Sequence, residues 1–184
     1  MFQIKVITFI IATAGIFWVS RSSLRHFRSH GFYRFFAWES ILTLIVLNLN
    51  YWIRDPFSIH QIISWSLLLI SLFLVFQGFI SLKQAKKSNT ERSEISLMTF
   101  EKTTELLTTG VYRYIRHPLY SSLLFLAWGA LFKHISWTGI VLAALSTFFL
   151  CMTARREEAE NLRYFGKTYQ IYMKKTRMFI PFLF

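Results

Sequence analysis

The chain has 184 residues, of which 54% are hydrophobic and only 16% are charged, against roughly 25% charged in an average soluble domain. This composition argues against a soluble protein and against an intrinsically disordered one, because disordered chains lack apolar residues to bury. The single cysteine, Cys151, excludes an internal disulfide and a thiolate metal cluster, and we expect no bound metal. The formal net charge of +12 is typical of a protein that contacts nucleic acid or a membrane surface.

Five mostly apolar stretches are candidates for membrane-spanning helices, which need about 17 to 25 residues. They cover residues 2–20, 35–53, 59–82, 119–132 and 135–152. Only Lys133 and His134 separate the last two stretches, so we expect an antiparallel helical hairpin there. The sequence therefore predicts an all-α integral membrane bundle of about five transmembrane helices, followed by a C-terminal helix in the cytosol.

The positions of the basic residues predict the orientation of this bundle, because Lys and Arg concentrate in cytosolic loops. Of the 21 Lys and Arg residues, 18 lie between the first two stretches, between the third and the fourth, or after the fifth. We therefore expect the N-terminus outside and the C-terminus in the cytosol, in the inner membrane of a bacterium or the endoplasmic reticulum of a eukaryote. Because these basic residues lie beside the predicted spans, we expect them to contact membrane lipids. We expect no nucleic-acid partner.

Polar residues gather in three cytosolic blocks, where a site for a water-soluble ligand would form. The first block, residues 21–34, is typical of a basic juxtamembrane loop that contacts anionic headgroups. The second block ends with Gly110, which permits a turn, and with Pro118, which suits the first turn of a helix. A helix N-terminus offers unpaired N–H groups to an anion, although the same residues also fit a helix start that is merely capped.

Carboxylates stand out at two further places. Glu157 and Glu158 follow two arginines in the third block, an arrangement that is also typical of a solvated helix surface with local ion pairs. Glu39 is the only carboxylate inside a predicted span, and an ionisable residue at membrane depth is a candidate for function. The alternative for Glu39 is a position at the cytosolic interface, paired with Arg34 or another loop arginine.

Together, the second and third blocks resemble the isoprenylcysteine carboxyl methyltransferase family, which belongs with the membrane phospholipid methyltransferases. The resemblance rests on Arg116-His117-Pro118-Leu119-Tyr120, then on Glu157-Glu158 about 40 residues later, and then on Phe165-Gly166 followed by Tyr169. It covers about the last 80 residues. We accordingly divide the chain into an N-terminal three-span region, residues 1–82, and a C-terminal cofactor-binding region, residues 83–184.

The resemblance implies an intramembrane enzyme that binds S-adenosylmethionine in a cytosol-facing pocket closed by the C-terminal segment. Such an enzyme methylates a lipid or lipidated acceptor that enters from the bilayer, and it releases S-adenosylhomocysteine. The cofactor contacts carried over to this chain are Leu106, Leu107, Tyr112, His117, Pro118, Leu119, Tyr120 and Glu157. Arg156 is the candidate for binding the acceptor, and Glu158 and Glu39 are candidates for the general base that an amine acceptor requires.

Two positions depart from the family pattern. Thr104 stands where a His is common, and Thr153 stands where an Arg usually contacts the acceptor. These departures bear on the acceptor and not on methyl transfer. Two alternatives to a lipid methyltransferase stay open: a methyltransferase of a small thiol or other small apolar acceptor, and a non-enzymatic membrane scaffold in which the motifs only cap helices.

Overall fold

The computed structural model of the protein describes residues 2–27, 29–85 and 106–181, and in these ranges its regular elements are all helical. Thr104 lies outside the described residues. The α-helices are α1 (Phe2–Leu24), α2 (His30–Leu47), α3 (Ile59–Ala85), α4 (Pro118–Leu131), α5 (Trp137–Phe165) and α6 (Lys167–Lys175), with 3-10 turns at Leu49–Tyr51 and Gly110–Arg113. A helix therefore occurs at each of the five predicted stretches, and the prediction of an all-α bundle is confirmed.

The helices differ in how well they suit a membrane crossing. Among the described residues, α1, α3 and α5 are long and apolar enough to cross, with mean hydropathies of 1.6, 2.1 and 1.7. Helix α4 is apolar but has only 14 residues, and the 18 residues of α2 include Arg34 and Glu39. The described part of the chain thus contains three full-length candidate spans, against the five that the apolar stretches predict.

Small side chains bring the helices close together. Helix α2 lies along α5, α3 lies along α4, and α1 packs on α2. Ala37 of α2, Ala130 of α4 and Ala143 and Ala154 of α5 are all fully buried at these contacts. Residues of this size let helix backbones approach closely where hydrophobic driving force between apolar helices is weak. Helices from residues 1–82 and from residues 83–184 therefore interleave in one bundle.

Serine hydroxyls add polar contacts between α3 and α4. Ser64 donates to the carbonyl oxygen of Gly129 at 2.7 Å, and Ser71 donates to that of Ser122 at 2.7 Å. Both serines are buried, so these hydrogen bonds satisfy groups that would otherwise lie unpaired in an apolar interior.

The hairpin of α4 and α5 carries the second and third polar blocks to the same end of the bundle. Helix α5 does not end with the apolar stretch at Met152 but continues to Phe165, because residues 153–165 are mostly good helix formers without Gly or Pro. Gly166, with φ +57°, then ends the helix. The third block is therefore a polar extension of a membrane helix.

Candidate active site

Four segments meet at the polar end of the bundle: the 3-10 turn Gly110–Arg113, the start of α4, the extension of α5, and α6 with residues 176–181 after it. Gly110 has φ +60°, and a Cβ at this position would lie 2.6 Å from the Ser81 hydroxyl oxygen of α3. Pro118 is the first residue of α4. The turn at Gly110 and the helix start at Pro118 predicted from the sequence are therefore confirmed.

The chain after α6 pairs with the residues that precede α4. The Arg116 N–H donates to the carbonyl oxygen of Arg177 at 2.8 Å, and the His117 N–H donates to that of Met178 at 3.2 Å. In return, the Arg177 N–H donates to the Tyr114 carbonyl oxygen at 3.0 Å. The backbone N–H groups of residues 116 and 117 are thus used by the C-terminal segment, which covers this side of the site.

Arg116, Glu158 and His117 form a buried charged network between α4 and α5. The guanidinium of Arg116 donates through Nε to Glu158 Oε1 at 2.6 Å, and through Nη1 to the carbonyl oxygens of Met173 at 3.2 Å and Thr176 at 2.5 Å. His117 Nε2 lies 3.3 Å from the same Glu158 oxygen. The Arg116 and Glu158 side chains are only 10% and 9% exposed. This network ties α4, α5 and the end of α6 together.

The neighbouring carboxylate, Glu157, lies beside the other nitrogen of the His117 ring. Its Oε2 atom lies 3.9 Å from His117 Nδ1, and its side chain is 21% exposed. One turn further along α5, Glu160 Oε2 lies 2.5 Å from Nδ1 of His30, the first residue of α2. His30 is fully buried. Residues of the first block, which the sequence assigned to a basic loop, therefore reach the acidic face of α5.

The other predicted cofactor contacts differ in their burial and in the residues they touch. Leu106, Leu107 and Tyr112 are partly exposed, and Tyr120 is buried with its ring stacked on that of His117 at a centroid distance of 5.5 Å. Pro118 and Leu119 turn towards α3, where a Cβ on Gly78 would lie 2.8 Å from Leu119 Cδ2. Three of the eight carried-over positions therefore pack on neighbouring helices: Pro118 and Leu119 on α3, and Tyr120 in a buried cluster with Ala37 of α2 and Leu150 and Ala154 of α5.

Two tyrosines of α6 complete the wall. Tyr172 donates its hydroxyl to the Tyr112 carbonyl oxygen at 2.7 Å, which fixes α6 on the 3-10 turn. Burial raises the pKa of Tyr172 above its usual range, and burial together with the charge of Glu157 does the same for the pKa of Tyr169. Both phenols therefore stay neutral near pH 7.

Two predicted residues lie apart from the network. Glu39 Oε2 accepts a hydrogen bond from the Thr13 hydroxyl of α1 at 2.9 Å, and no contact among the described residues joins Glu39 to Glu157 or Glu158. Arg156 is exposed, and its guanidinium carbon lies 6.0 Å from the centre of the Tyr33 ring on α2. The structure thus places Arg156 at the α2 side of the α5 extension.

The sequence did not indicate His30, Glu160 or the backbone of residues 176–179 as parts of the site. His30 and Glu160 are 130 positions apart, and each has an ordinary local setting in a basic loop or a charged helix. Within the described residues, no group of three or more His, Cys, Asp or Glu side chains is placed to hold a metal ion.

A family model matches the part of the chain that carries these residues. Residues 59–168 match the family model described as phospholipid methyltransferase, a range that includes α3, α4 and all of α5. The match begins at the start of α3, before the boundary at residue 82 expected from the sequence. It contains every predicted site residue except Glu39.

Two relatives with curated names are similar to the chain. A methanethiol S-methyltransferase of Crocosphaera subtropica is 25% identical over 66% of this chain and 44% of its own length. A methanethiol S-methyltransferase of Pseudomonas deceptionensis is 26% identical over 79% of this chain and 48% of its own length. The aligned region is thus about half of each relative. No solved structure shows significant similarity to the chain.

Proposed function

Since the chain belongs to the phospholipid methyltransferase family, we propose that it is a membrane-embedded methyltransferase that uses S-adenosylmethionine and releases S-adenosylhomocysteine. The observation that carries the proposal is the meeting of His117 with both Glu157 and Glu158, at 3.9 and 3.3 Å, across 40 residues of chain. A scaffold that only needed capped helices would not require this convergence of a histidine, an arginine and two carboxylates in one buried cluster.

The side chains present fit the proposed methyl donor. S-adenosylmethionine supplies, when bound, a methyl group on a sulfonium sulfur beside an amino group, a carboxylate, a ribose and an adenine. Glu157 is partly exposed and is not held by Arg116, so its carboxylate suits the amino group or a ribose hydroxyl. The tyrosines at 112 and 120 suit adenine or the sulfonium. Leu106 and Leu107 would line the apolar part of the pocket.

We propose that Glu158 positions His117 and does not act as a general base. The Arg116 guanidinium and the His117 ring both contact one Glu158 oxygen, and a nearby cation favours the ionised form of a carboxylate. A carboxylate held in this way is a poor proton acceptor. It instead fixes the orientation of the His117 ring and, through Arg116, the C-terminal segment that excludes water from the site.

A small apolar thiol is our first candidate for the methyl acceptor. Both curated relatives are named for methylation of methanethiol. Thr153 supports this choice, because the resemblance places an acceptor-binding Arg at that position. The Thr153 side chain is buried and donates its hydroxyl to the Phe149 carbonyl oxygen at 2.7 Å, so it offers no charge to a carboxylate acceptor. Methylation of a thiol would form a bond between its sulfur and the methyl carbon and break the bond from that carbon to the sulfonium sulfur of the donor, while the thiol proton leaves to water.

A lipid or lipidated molecule is the second candidate acceptor, and the description of the matching family favours it. Arg156 is exposed and would contact a carboxylate or phosphate on such an acceptor. Glu39 lies between α1 and α2, so it would act as a base only for an amine that enters from the bilayer between these helices. Membrane lipids would then be methyl acceptors as well as the bilayer around the helices.

Binding of S-adenosylhomocysteine to the purified protein, measured by calorimetry, tests the proposal. We expect His117→Ala and Glu157→Ala each to weaken binding by about tenfold or more, the effect of losing one hydrogen bond to a charged group. His60→Ala and Asp55→Ala make matched changes at the other end of the bundle and should bind like the wild type. Absence of binding by the wild-type protein would refute the proposed function.

A panel of acceptors with a labelled methyl donor distinguishes the two candidates. We expect label in methanethiol and none in phosphatidylethanolamine or prenylcysteine. Label in either lipidic acceptor, with none in the thiol, would reverse the choice of acceptor and leave the proposed donor in place.

A further inference from the structure

A polar cavity of about 350 Å³ lies at the end of the bundle opposite the candidate active site. It is lined by residues that follow α2, begin α3 and join α4 to α5, including Tyr51, Arg54, His60, Gln61, Lys133 and His134. Helix α4 has 14 residues and connects the two ends, so about 20 Å separates this cavity from His117. The proposed methyl transfer therefore does not involve the cavity.

Lys133 in this wall is a buried cation without a counter-charge. The residue is 1% exposed. Its ammonium donates to Gln61 Oε1 at 3.0 Å and to the Trp52 carbonyl oxygen at 3.4 Å, and it lies 3.5 Å from the centre of the Trp65 ring. No carboxylate among the described residues is within ion-pair distance of Lys133. Burial accordingly lowers the pKa of Lys133.

The whole lining carries an excess of positive charge. Arg54 and Lys133 are its basic residues and Asp55 is its one carboxylate, so the formal charge of the lining is positive with both histidines counted as neutral. Arg54 Nε lies 3.6 Å from Asp55 Oδ2, with both side chains at least 70% exposed. Such an exposed pair contributes little energy, which leaves the Arg54 guanidinium available to another anion.

The remaining walls are fixed in place. The His134 ring stacks on the Tyr51 ring with centroids 3.9 Å apart and planes inclined by 8°. Gln61 is 1% exposed and donates its amide to the carbonyl oxygens of Tyr51 at 2.9 Å and Lys133 at 3.2 Å. A cavity with held side chains loses less conformational entropy when it binds a ligand.

We propose that this cavity is a binding site for a phosphate group. A buried cation is stabilised when an anion enters beside it, and Arg54 together with the histidines would provide further donors to phosphate oxygens. The volume falls in the range of ligand pockets, about 300 to 1,000 Å³. Trp52, Trp65 and Tyr51 around it are the residue types that concentrate at the headgroup level of membranes. The phosphate is therefore that of a lipid headgroup or a free phosphate.

Thermal unfolding of the full-length protein tests the site. Inorganic phosphate and glycerol phosphate are titrated in detergent at constant ionic strength set with chloride, and nanodiscs that contain phosphatidylglycerol are compared with nanodiscs of a neutral glycolipid that carries no phosphate. We expect a rise of the midpoint temperature with ligand concentration, because a ligand that binds only the folded state stabilises it. Arg54→Gln and His60→Gln, both at exposed positions, should weaken the apparent affinity by about tenfold. Arg163→Gln, at an exposed position near the other end, should bind like the wild type.

Stabilisation by phosphatidylglycerol but not by inorganic phosphate identifies a lipid headgroup, and stabilisation by both phosphate salts without an effect of lipid identifies a free phosphate. Stabilisation by the salts and by the lipid supports a site that recognises the phosphate group they share. If no phosphate compound stabilises the protein, the proposal is wrong. It is also wrong if Arg163→Gln loses as much affinity as Arg54→Gln, since the effect would then be general attraction to a basic protein. A Lys133→Gln variant is not required, because the variants at Arg54 and His60 change exposed side chains of the same cavity lining.

Discussion

The single residue Arg116 connects the start of α4, the extension of α5 and the end of α6. Its guanidinium donates to Glu158 of α5 and to two carbonyl oxygens at the end of α6, and its backbone N–H donates to the carbonyl oxygen of Arg177. These contacts make Arg116 a structural link that keeps the C-terminal segment over the site.

We expect Arg116→Gln to lower the free energy of unfolding by about 3 to 5 kcal/mol, because it leaves a buried Glu158 carboxylate without its main counter-charge. Arg155→Gln, an exposed change on the same helix extension as Glu158, should have almost no effect. Thermal unfolding in detergent measures both variants. Equal midpoint temperatures for the two would contradict the structural role of Arg116.

At the scale of elements, the turn before α4 and the extension of α5 decide where the site residues lie. The turn depends on Gly110, whose positive φ and short distance to Ser81 both favour a residue without a side chain. The extension depends on good helix formers that continue α5 for thirteen residues past Met152. Glu157, Glu158 and Glu160 then project from one rigid helix to different partners.

Gly110→Ala should destabilise the protein by about 1 to 2 kcal/mol, the cost of a left-handed backbone for a residue with a Cβ. The matched change Gly15→Ala lies inside α1 with no atom within 4 Å of the new Cβ, so we expect a neutral or slightly stabilising effect. Unfolding midpoints of the two variants compare them directly. A Gly110→Ala protein as stable as Gly15→Ala would show that the turn does not need glycine.

At the scale of the whole molecule, the two ends of the bundle have different chemistry. One end carries the Arg116, His117 and Glu158 network under the C-terminal segment, and the other carries the cavity lined by Arg54 and Lys133. The distribution of basic residues predicts that the first end faces the cytosol. The proposed methyl donor would then bind from the cytosol and the proposed phosphate from the opposite side.

Cysteine labelling in intact cells tests this orientation. In a Cys151→Ser background, we expect a membrane-impermeant maleimide to label Phe57→Cys, at a position that is 90% exposed, without permeabilisation. Lys167→Cys, an exposed position beside the site, should react only after the membrane is opened. Labelling in the reverse pattern would place the N-terminus in the cytosol.

The sequence by itself determined that the apolar stretches are helices, that the chain turns at Gly110 and that α4 starts at Pro118, because hydropathy, helix propensity and backbone freedom are local properties. It also identified the two halves of the motif that carry the family resemblance. Only the tertiary structure decided which charges pair. Glu158 became a partner of Arg116, Glu160 a partner of His30, and Lys133 a buried cation at the far end. Pairings across 40 to 130 residues depend on how helices pack, and no local pattern encodes that packing.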